Sequence, residues 1–375
     1  MWGRRMEYKK LGDIATYING YPFKPEDRGE CGLPIIRIQD LTGNTYDLGY
    51  YDGKYPERIE INNGDILISW SASLGVYVWN RGKALLNQHI FKVVFDKVEI
   101  NKRYFVYAVQ FKLKEMEAKA HGATMKHIVK KDFDSTLIPY PSLKEQSRIA
   151  ETIDSIAKSI NMRQKQLQKL DDLIKARFVE LFASVEAEDT LQNLCTFIDY
   201  RGKTPEKVES GLPFITAKNI RMHRMSFDTL EYISKETYDR VMTRGFPQIG
   251  DVVFTTEAPL GNVCRIPFIE TEFYIGQRII TMQTERLEPA YLEYALSSDE
   301  FKRKIAEKSS GSTVTGIRSK LLEQLTIPVP PRALQERFAA FVTQADKSKA
   351  AVQKALDETQ LLFDSLMQKY FGYSY

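Results

Sequence analysis

The sequence predicts an α+β protein in which two pseudo-symmetric domains of mixed helix and strand are separated by a long antiparallel two-helix coiled coil. Two observations support this prediction: the chain of 375 residues repeats itself, and each copy ends in a long segment that lacks proline and glycine. We expect a first domain over residues 1–143, a first helix over 144–183, a second domain over 184–331 and a second helix over 332–375. Domains of this size lie within the usual range for independent cores.

The repeat is visible in short motifs that recur in the same order. Leu11-Gly-Asp-Ile-Ala-Thr-Tyr-Ile resembles Leu191-Gln-Asn-Leu-Cys-Thr-Phe-Ile, and Gly64-Asp-Ile-Leu-Ile-Ser resembles Gly250-Asp-Val-Val-Phe-Thr. The glycine-led motifs have a turn signal followed by an apolar run of strand length. Each copy is therefore predicted to contain several short strands, and the main helices within the two domains are expected over residues 103–119 and 289–308.

The two long segments carry a heptad stripe of apolar residues, in which steps of four and three alternate. The first stripe consists of Ile149, Ile153, Ile156, Ile160, Leu167, Leu170, Ile174 and Leu181. The second and weaker stripe consists of Phe338, Val342, Val352, Leu356, Phe363 and Leu366. Because so long a seam exceeds what one small domain needs, we expect the helices to pair with each other rather than to pack separately. The second helix must return along the first, which predicts an antiparallel pair.

Composition and charge limit the classes of protein to which the chain can belong. Hydrophobic residues make up 43% and charged residues 27%, which is typical of a folded protein. The sequence has neither an apolar run of membrane-spanning length nor a signal-peptide pattern, so we expect a cytoplasmic location. The three cysteines lie far apart, which favours buried free thiols over disulfides or a metal cluster. A net charge of +4 is too small to indicate or exclude nucleic-acid binding.

The motifs that could support catalysis fail on spacing. Arg201-Gly-Lys-Thr ends like a phosphate-binding loop, but Phe197 stands where the first glycine of that loop is required. The four histidines form neither a His-Glu-x-x-His pair nor a group with cysteine, so we predict no metal site. The sequence also lacks a glycine-rich loop for a methyl donor and a nucleophile elbow. We therefore expect this chain to catalyse no reaction by itself.

Several motifs at the joints of this architecture resemble one known family. They are Ile36-Arg-Ile-Gln-Asp-Leu, Ile215-Thr-Ala-Lys-Asn-Ile, Gly311-Ser-Thr-Val-Thr-Gly-Ile-Arg-Ser-Lys-Leu-Leu, Ile327-Pro-Val-Pro-Pro and Glu145-Gln-Ser-Arg-Ile-Ala-Glu. Together with the repeat they make the whole chain resemble the specificity subunits of type I restriction-modification systems. The first copy departs from the family pattern at Gly122-Ala-Thr-Met-Lys-His-Ile and at Ser142-Leu-Lys, where a Gly-Ser-Thr sequence and a second proline are usual.

The resemblance implies a DNA-binding function without catalysis. Each of the two domains would be a target recognition domain that reads one half of an asymmetric bipartite site in double-stranded DNA. The two helices would set the distance between the half-sites and dock methyltransferase subunits, two of them, to which restriction subunits then bind. No cofactor is expected in this chain, because S-adenosylmethionine, ATP and Mg would be bound by the partner subunits, and no contact with a membrane is expected.

Recognition of DNA requires Lys and Arg for phosphates and Gln, Asn, Arg or Lys for base edges. The candidates in the first copy are Gln88, His89, Lys126, His127, Lys130 and Lys131. The candidates in the second copy are Lys218, Asn219, Arg221, Gln277, Arg278, Thr313, Arg318 and Lys320. For each of them the alternative is an ordinary solvated loop residue. Gln88 and Gln277 are equivalent positions in domains that should read different sequences, which favours a structural role for both.

One other function, from a different class, is compatible with the sequence. A protein-binding scaffold, with two recognition modules on a coiled-coil spacer, would have the same repeat and the same helices. Its affinity for DNA would be absent at low salt, whereas a specificity subunit would bind DNA with a steep salt dependence. A standalone nuclease or methyltransferase would need active-site residues that the sequence does not contain.

Overall fold

The computed structural model describes residues 7–45, 47–119, 128–200, 205–276, 278–309 and 316–372. The chain forms two compact units, one made of residues 1–164 and 354–375 and the other of residues 165–353. Within the described ranges no helix combines the length and the hydropathy that a membrane span requires.

The first unit is built of short strands and helices that surround one main core. Its elements are β1 (Tyr8–Lys10), α1 (Leu11–Ile14), β2 (Thr16–Asn19), β3 (Leu33–Ile36), α2 (Ile38–Leu41), β4 (Tyr50–Tyr51), β5 (Glu60–Ile61), β6 (Ile66–Ser69), β7 (Gly75–Val78), β8 (Ala84–Leu86), β9 (Ile90–Val94), α3 (Lys102–Lys119), α4 (Lys130–Ser135), β10 (Leu137–Pro139) and the first part of α5 (Leu143–Phe182). One antiparallel sheet has the strand order β2-β9-β6-β7, and a second sheet has the order β4-β3-β8-β5, in which β3 and β8 are parallel.

The second unit begins with the rest of α5 and repeats this plan with additional elements. They are β11 (Glu188–Thr190), α6 (Leu191–Leu194), β12 (Thr196–Asp199), β13 (Leu212–Ile215), β14 (Ile220–Arg221), β15 (Arg224–Met225), β16 (Glu231–Ile233), α7 (Lys235–Val241), β17 (Val252–Thr255), β18 (Val263–Arg265), β19 (Tyr274–Ile275), β20 (Ile279–Gln283), α8 (Pro289–Ser297), α9 (Asp299–Lys308), α10 (Ser319–Glu323), β21 (Thr326–Pro328) and the first part of α11 (Arg332–Phe371). Its sheet order β12-β20-β17-β18 corresponds to β2-β9-β6-β7 of the first unit. The predicted α+β fold with a repeated domain is thus confirmed.

The Gly-Asp motifs have the same backbone role in both units. Gly64 and Gly250 each have a φ of +92°, a left-handed conformation that glycine adopts without the steric penalty of a side chain. The aspartate that follows each glycine accepts a hydrogen bond from a backbone N–H three residues earlier, at 2.8 Å for Asp65 and 2.7 Å for Asp251. This turn directs the chain into β6 and into β17, the buried central strands of the two sheets.

The heptad stripes face the protein interior in each unit. Every stripe position that the sequence predicted is buried or half-buried. In the first unit Ile149 and Ile153 of α5 belong to the same buried cluster as Met367 and Phe371 of α11. The first unit therefore contains the start of one long helix and the end of the other.

In the second unit the two helix segments run antiparallel. The rings of Phe182 and Phe338 are 5.5 Å apart, and Lys349 Nζ lies 2.6 Å from Asp171 Oδ1. Moving back along α5 from Phe182 to Asp171 thus corresponds to moving forward along α11 from Phe338 to Lys349. Aromatic and aliphatic side chains of both segments join the main core of this unit.

Two local predictions were wrong. The helix expected over residues 289–308 is broken into α8 and α9, because Ser298 adopts an extended conformation and its hydroxyl caps α9 by accepting a hydrogen bond from the Phe301 N–H at 3.1 Å. The expectation of buried thiols fails for Cys31, which is exposed. Burial does hold for Cys264, and it raises the pKa of Cys264 and of half-buried Cys195 to about 12. These two thiols stay protonated near neutral pH.

Candidate nucleic-acid interface

Each unit brings three loop segments together at one end of one sheet, which is β2-β9-β6-β7 in the first unit and β12-β20-β17-β18 in the second. In the first unit the Trp70 N–H donates to the His89 carbonyl at 3.2 Å, and the Ile128 N–H donates to the Trp70 carbonyl at 2.9 Å. Residues 70–74, 87–89 and 128–131 form what we call the first loop cluster. Two backbone hydrogen bonds therefore hold three separate parts of the chain side by side.

The second unit has the same junction. The Thr256 N–H donates to the Arg278 carbonyl at 2.9 Å, and the Ile317 N–H donates to the Thr256 carbonyl at 3.0 Å. Residues 256–260, 278 and 316–320 form the second loop cluster. The backbone geometry of the repeat is thus preserved in the loops as well as in the sheets.

Both clusters contain non-glycine residues in the left-handed region of backbone space. Ala72 has a φ of +57° and Ala258, its equivalent, a φ of +47°. His89 in the first cluster has a φ of +70°. Such conformations are uncommon for residues that carry a side chain, and they persist only where the surroundings hold them. The turn after β6 and the turn after β17 therefore share an uncommon backbone conformation.

The first loop cluster presents aromatic rings and lysines. The Trp70 indole stacks on Phe91 at 5.5 Å and meets the His89 ring edge to face at 4.9 Å. Lys130 Nζ lies 2.6 Å from Asp134 Oδ2 and 6.0 Å from the centre of the Phe91 ring. Both Lys130 and Lys131 are exposed. This surface combines aromatic rings with exposed positive charges.

The second loop cluster presents a different set of side chains on the same backbone. Arg278 Nε lies 2.9 Å from Glu257 Oε1, and the Arg278 side chain is 57% exposed. Arg318 and Lys320 are exposed, whereas Ser319 between them is buried and donates to Asp199 at 3.2 Å. The equivalent places in the two units thus differ in charge and shape where their backbones agree.

The described residues contain no group of three or more His, Cys, Asp or Glu side chains that could hold a metal ion. Burial, with a smaller contribution from Asp134, raises the pKa of Tyr17 beneath the first loop cluster. The Tyr17 hydroxyl donates a hydrogen bond to the Leu11 carbonyl at 3.0 Å. In the parts of the chain that the structure describes, the loop clusters therefore offer contact surfaces and hydrogen-bonding groups.

Comparison with known proteins identifies the family. The family model for the type I restriction modification DNA specificity domain matches twice, over residues 4–172 and 189–359. The chain belongs to this family. It is a specificity subunit of a type I restriction-modification system, and specificity subunits are the non-catalytic, DNA-recognising components of such systems. The resemblance inferred from the motifs is confirmed.

Curated relatives extend over nearly the whole specificity subunit. The EcoBI specificity subunit of Escherichia coli is 24% identical over 96% of this chain and 84% of its own length. The MjaVIII specificity subunit of Methanocaldococcus jannaschii is 22% identical over 93% of this chain and 89% of its own length.

Solved structures support the fold. The S subunit of a type I restriction-modification system from M. genitalium has a TM-score of 0.57 and 16% identity, and the match covers 100% of this chain and 99% of that one. A second structure, described in terms of the complex assembly and conformational transition of the type I system, has a TM-score of 0.54 and 18% identity. That match covers 98% of this chain and 99% of the other.

Most of the candidate DNA-binding residues of this specificity subunit are accessible. The exposed ones are Gln88, Lys130, Lys131, Lys218, Arg221, Arg278, Arg318 and Lys320, and His89 is half-buried. The structure brings Gln88, His89, Lys130 and Lys131 into the first loop cluster and Arg278, Arg318 and Lys320 into the second. Lys218 and Arg221 flank the start of β14 instead. Lys126, His127, Gln277 and Thr313 lie outside the described residues.

Asn219 is the exception among the candidates, because its side chain is only 1% exposed. Its Oδ1 accepts a hydrogen bond from the Thr216 N–H at 2.9 Å, and its Nδ2 donates to the Ser226 carbonyl at 3.0 Å. Asp40 occupies the equivalent place in the first unit and accepts from the Arg37 N–H at 2.9 Å. Asn219 therefore holds a turn and cannot present its amide to a base in this conformation.

Sequence reasoning missed two side chains of the loop clusters. Trp70 was overlooked because an aromatic residue at the end of an apolar strand is usually a core residue. Glu257 was not predicted because contacts with DNA are expected of positive and amide side chains. The repeat itself carried the missing signal, since Trp70 aligns with Thr256 and Ser71 with Glu257 within otherwise matching motifs.

Proposed function

We propose that each unit of this specificity subunit reads one half of an asymmetric bipartite site in double-stranded DNA through its loop cluster, joined in the second unit by Lys218 and Arg221 near the start of β14. The observation that carries the proposal is the pair of equivalent backbone junctions that bear different side chains. A common backbone would dock two half-sites in the same manner, and different side chains would read different bases.

The roles of individual residues follow from their chemistry. Flexible exposed lysines suit phosphate oxygens, so we assign Lys130, Lys131, Lys218 and Lys320 to the DNA backbone, with Lys126 as a further candidate. Side chains that offer paired hydrogen-bonding groups suit base edges, so we assign Arg221, Arg278 and Arg318 to them, with Gln88, Gln277, His89, His127 and Thr313 as further candidates. Trp70 would contribute an apolar contact beside these groups.

Exchange of one domain tests the division of labour. Replacing residues 1–143 by the corresponding domain of a relative with another specificity should change one half-site completely and leave the other unchanged, because each loop cluster belongs to one unit. We expect the complex of this subunit and its methyltransferase to methylate adenine, so sequencing of methylated adenines in DNA treated with the complex measures the result. The reciprocal exchange of residues 184–331 is the matched control. A simultaneous change of both half-sites would contradict the proposal, and so would methyl transfer by the chain alone.

The long helices are proposed to set the gap between the half-sites. An α-helix of about 40 residues is ~60 Å long, which corresponds to ~18 base steps of DNA. Because Lys349 contacts Asp171, a lengthened pair stays in register if residues 167–170 are duplicated after Leu170 and residues 350–353 are duplicated after Lys349.

This paired insertion should widen the preferred gap by about one or two base pairs, since four residues add ~6 Å of helix. Both half-site sequences should stay the same, and sequencing of methylated adenines is again the measurement. The insertion in α5 alone serves as control, because it shifts the helix register and should lower assembly. An active paired mutant with the original gap would show that the helices do not determine the distance.

The helices are also proposed to dock the methyltransferase subunits. Leu173 on α5 and Leu362 on α11 occupy equivalent positions of the repeat, and each is 51% exposed. Two equivalent apolar positions on two equivalent helices suit two copies of one partner. We propose that restriction subunits join through this core, that the partner subunits bind S-adenosylmethionine, ATP and Mg, and that the complex acts in the cytoplasm.

A protein-binding scaffold remains the alternative function. Filter binding of labelled DNA to the assembled methyltransferase complex separates the two functions. Affinity that falls steeply with salt favours DNA reading, whereas no affinity at low salt favours the scaffold.

A further inference from the structure

A network of charged side chains extends through the second unit from a surface hairpin to α11. At its centre is Glu293 of α8, whose side chain is 1% exposed. Glu293 Oε2 accepts a hydrogen bond from Arg265 Nε at 2.5 Å, and Oε1 lies 2.8 Å from His223 Nδ1. Both oxygens of a buried carboxylate are thus engaged, one of them by an arginine of β18.

The network of charged side chains continues from the domain onto the long helices. Arg265 Nη2 donates to Asp346 Oδ2 of α11 at 2.8 Å, so that one guanidinium binds a carboxylate of α8 and a carboxylate of α11. Asp346 Oδ1 lies 4.0 Å from Lys349 Nζ, which contacts Asp171 of α5. The planar guanidinium has fixed donor directions, so these two contacts define an angle as well as a distance between the domain and the helix.

Electrostatics favour the ionised forms of Glu293 and Arg265. Burial alone would raise the pKa of Glu293, but the hydrogen bond from His223 and the charge of Arg265 outweigh it and hold this pKa below its usual range. Burial acts in the opposite direction on Arg265, whose pKa is nevertheless raised by Glu293 and Asp346. Replacing a buried ion pair by apolar residues is often neutral or stabilising, so stability alone does not account for this network.

The outer end of the network holds the hairpin of β14 and β15. His223 at the hairpin turn has a φ of +59°, and its N–H donates to the Val263 carbonyl at 2.8 Å. Its ring stacks on Tyr294 of α8 at 4.2 Å with an angle of 13° between the planes. Arg221 and Arg224 on either side of this turn are exposed. The network therefore joins an arginine-bearing hairpin, a central sheet and a long helix.

We propose that Arg265, Glu293, Asp346 and His223 are positioning residues that hold the second recognition domain at one angle on α11 and thereby restrict the gap that the specificity subunit accepts between its half-sites. This inference rests on the proposed function, since a gap exists only if the two units read two half-sites. None of the four residues needs to contact DNA for this role.

The test uses the full complex of the specificity subunit and its methyltransferase. Asp346→Asn removes the charge that ties Arg265 to α11 and leaves the buried pair of Arg265 and Glu293 in place. Asp172→Asn is the matched control, because Asp172 is an exposed aspartate of α5 that accepts a hydrogen bond from Gln168. The substrates are DNA molecules that carry both half-sites with the preferred gap or with gaps one and two base pairs longer and shorter. Methylation of each is measured by sequencing.

Asp346→Asn should lower the preference for the correct gap over its neighbours by about two- to fivefold, because a partly exposed ion pair is lost. Half-site sequences should not change, Asp172→Asn should behave as wild type, and Asp346→Glu should restore part of the preference. Arg265→Lys, which keeps the charge but loses the forked geometry, should also relax the gap. An unchanged gap preference in active Asp346→Asn would overturn the inference, and so would an equal loss at every gap, which indicates a purely structural role. Wild-type complex without any half-site preference would instead contradict the proposed function.

Discussion

In the two units of this protein, equivalent side chains make the same hydrogen bonds to the backbone. The hydrogen bonds and ion pairs between side chains differ. In the first unit Gln146 at the start of α5 accepts from the Asn101 N–H at 2.9 Å and donates to the Pro141 carbonyl at 2.9 Å. In the second unit Gln335 accepts from the Glu288 N–H at 2.9 Å and donates to the Pro330 carbonyl at 2.8 Å. Both glutamine side chains are buried.

A pair of tyrosines has the same relationship. Tyr104 donates to the Pro139 carbonyl at 2.8 Å, and Tyr291 donates to the Pro328 carbonyl at 2.6 Å. A buried backbone group without a hydrogen-bond partner costs about 1–3 kcal/mol of stability. This cost does not depend on which side chains lie at the surface of the domain. Bonds of this type therefore persist in both copies while the surfaces differ.

The side-chain contacts that attach each domain to the helix that follows it differ between the two units. In the first unit Asp154 of α5 accepts from Tyr107 Oη and from Arg103 Nη1, both at 2.5 Å, and Arg103 is 57% exposed. In the second unit Arg265 donates hydrogen bonds both to Asp346 of α11 and to the buried Glu293. The difference teaches that the repeat conserved the attachment of domain to helix but not the chemistry of the attachment.

The largest expected effect of this difference is on stability. Glu293→Ala leaves Arg265 without its buried counter-charge and His223 without its hydrogen-bond partner, and it should lower the free energy of unfolding of the second unit by about 3–5 kcal/mol. The equivalent position in the first unit is Val106, which lies two residues after Tyr104 as Glu293 lies two after Tyr291. Val106→Ala should lower stability by only about 1 kcal/mol.

Urea unfolding distinguishes these two variants. Circular dichroism follows the whole chain, whereas tryptophan fluorescence follows the first unit, because Trp2, Trp70 and Trp79 all belong to residues 1–164. Glu293→Ala should shift the circular dichroism transition more than the fluorescence transition, and Val106→Ala should do the reverse. Equal losses of stability in the two variants would mean that the loss of Glu293 does not leave a destabilising uncompensated charge in the second unit.

A smaller effect is expected on partner binding, where the two units should behave alike. Leu173→Asp and Leu362→Asp each introduce a charge at an equivalent exposed apolar position, and each should weaken binding of one methyltransferase subunit by about 2 kcal/mol. Titration calorimetry measures the affinity and the number of sites. Phe268→Asp, at a residue that is 78% exposed in the loop after β18, is the control and should bind as wild type. A loss in only one of the two leucine variants would argue against equivalent docking positions.

The sequence predicted what depends on repetition and periodicity. Apolar spacing indicated the heptad stripes, and the Gly-Asp motifs indicated turns, because both are local properties of the chain. The break at Ser298 was not predictable from apolar spacing, since the cap depends on one backbone conformation. The buried place of Asn219 and the network around Glu293 also escaped sequence reasoning, because their partners come from distant segments such as Ser226 and Arg265. Local patterns thus revealed the frame, and long-range contacts decided which polar side chains remain accessible.

The smallest expected effect concerns single phosphate contacts, which the two loop clusters should share. Lys131 in the first cluster and Lys320 in the second are both exposed. Each substitution by alanine should reduce the slope of log affinity against log salt by about 0.9, because one contact with a phosphate releases one counterion fewer. The preferred half-site sequences should stay the same, since a phosphate contact carries no direct sequence information.

Filter binding of the methyltransferase complex over a range of salt concentrations measures this slope. Lys302→Ala is the matched control, because Lys302 is an exposed lysine of α9 that pairs with Asp299 and lies outside both clusters. A reduced slope for Lys131→Ala and for Lys320→Ala, but not for Lys302→Ala, would mean that both loop clusters lie against the DNA backbone. If the slope falls for only one of the two, the equivalent backbones of the clusters do not dock in equivalent ways. The difference between the units would then extend from the bases that they read to the way in which they approach the DNA.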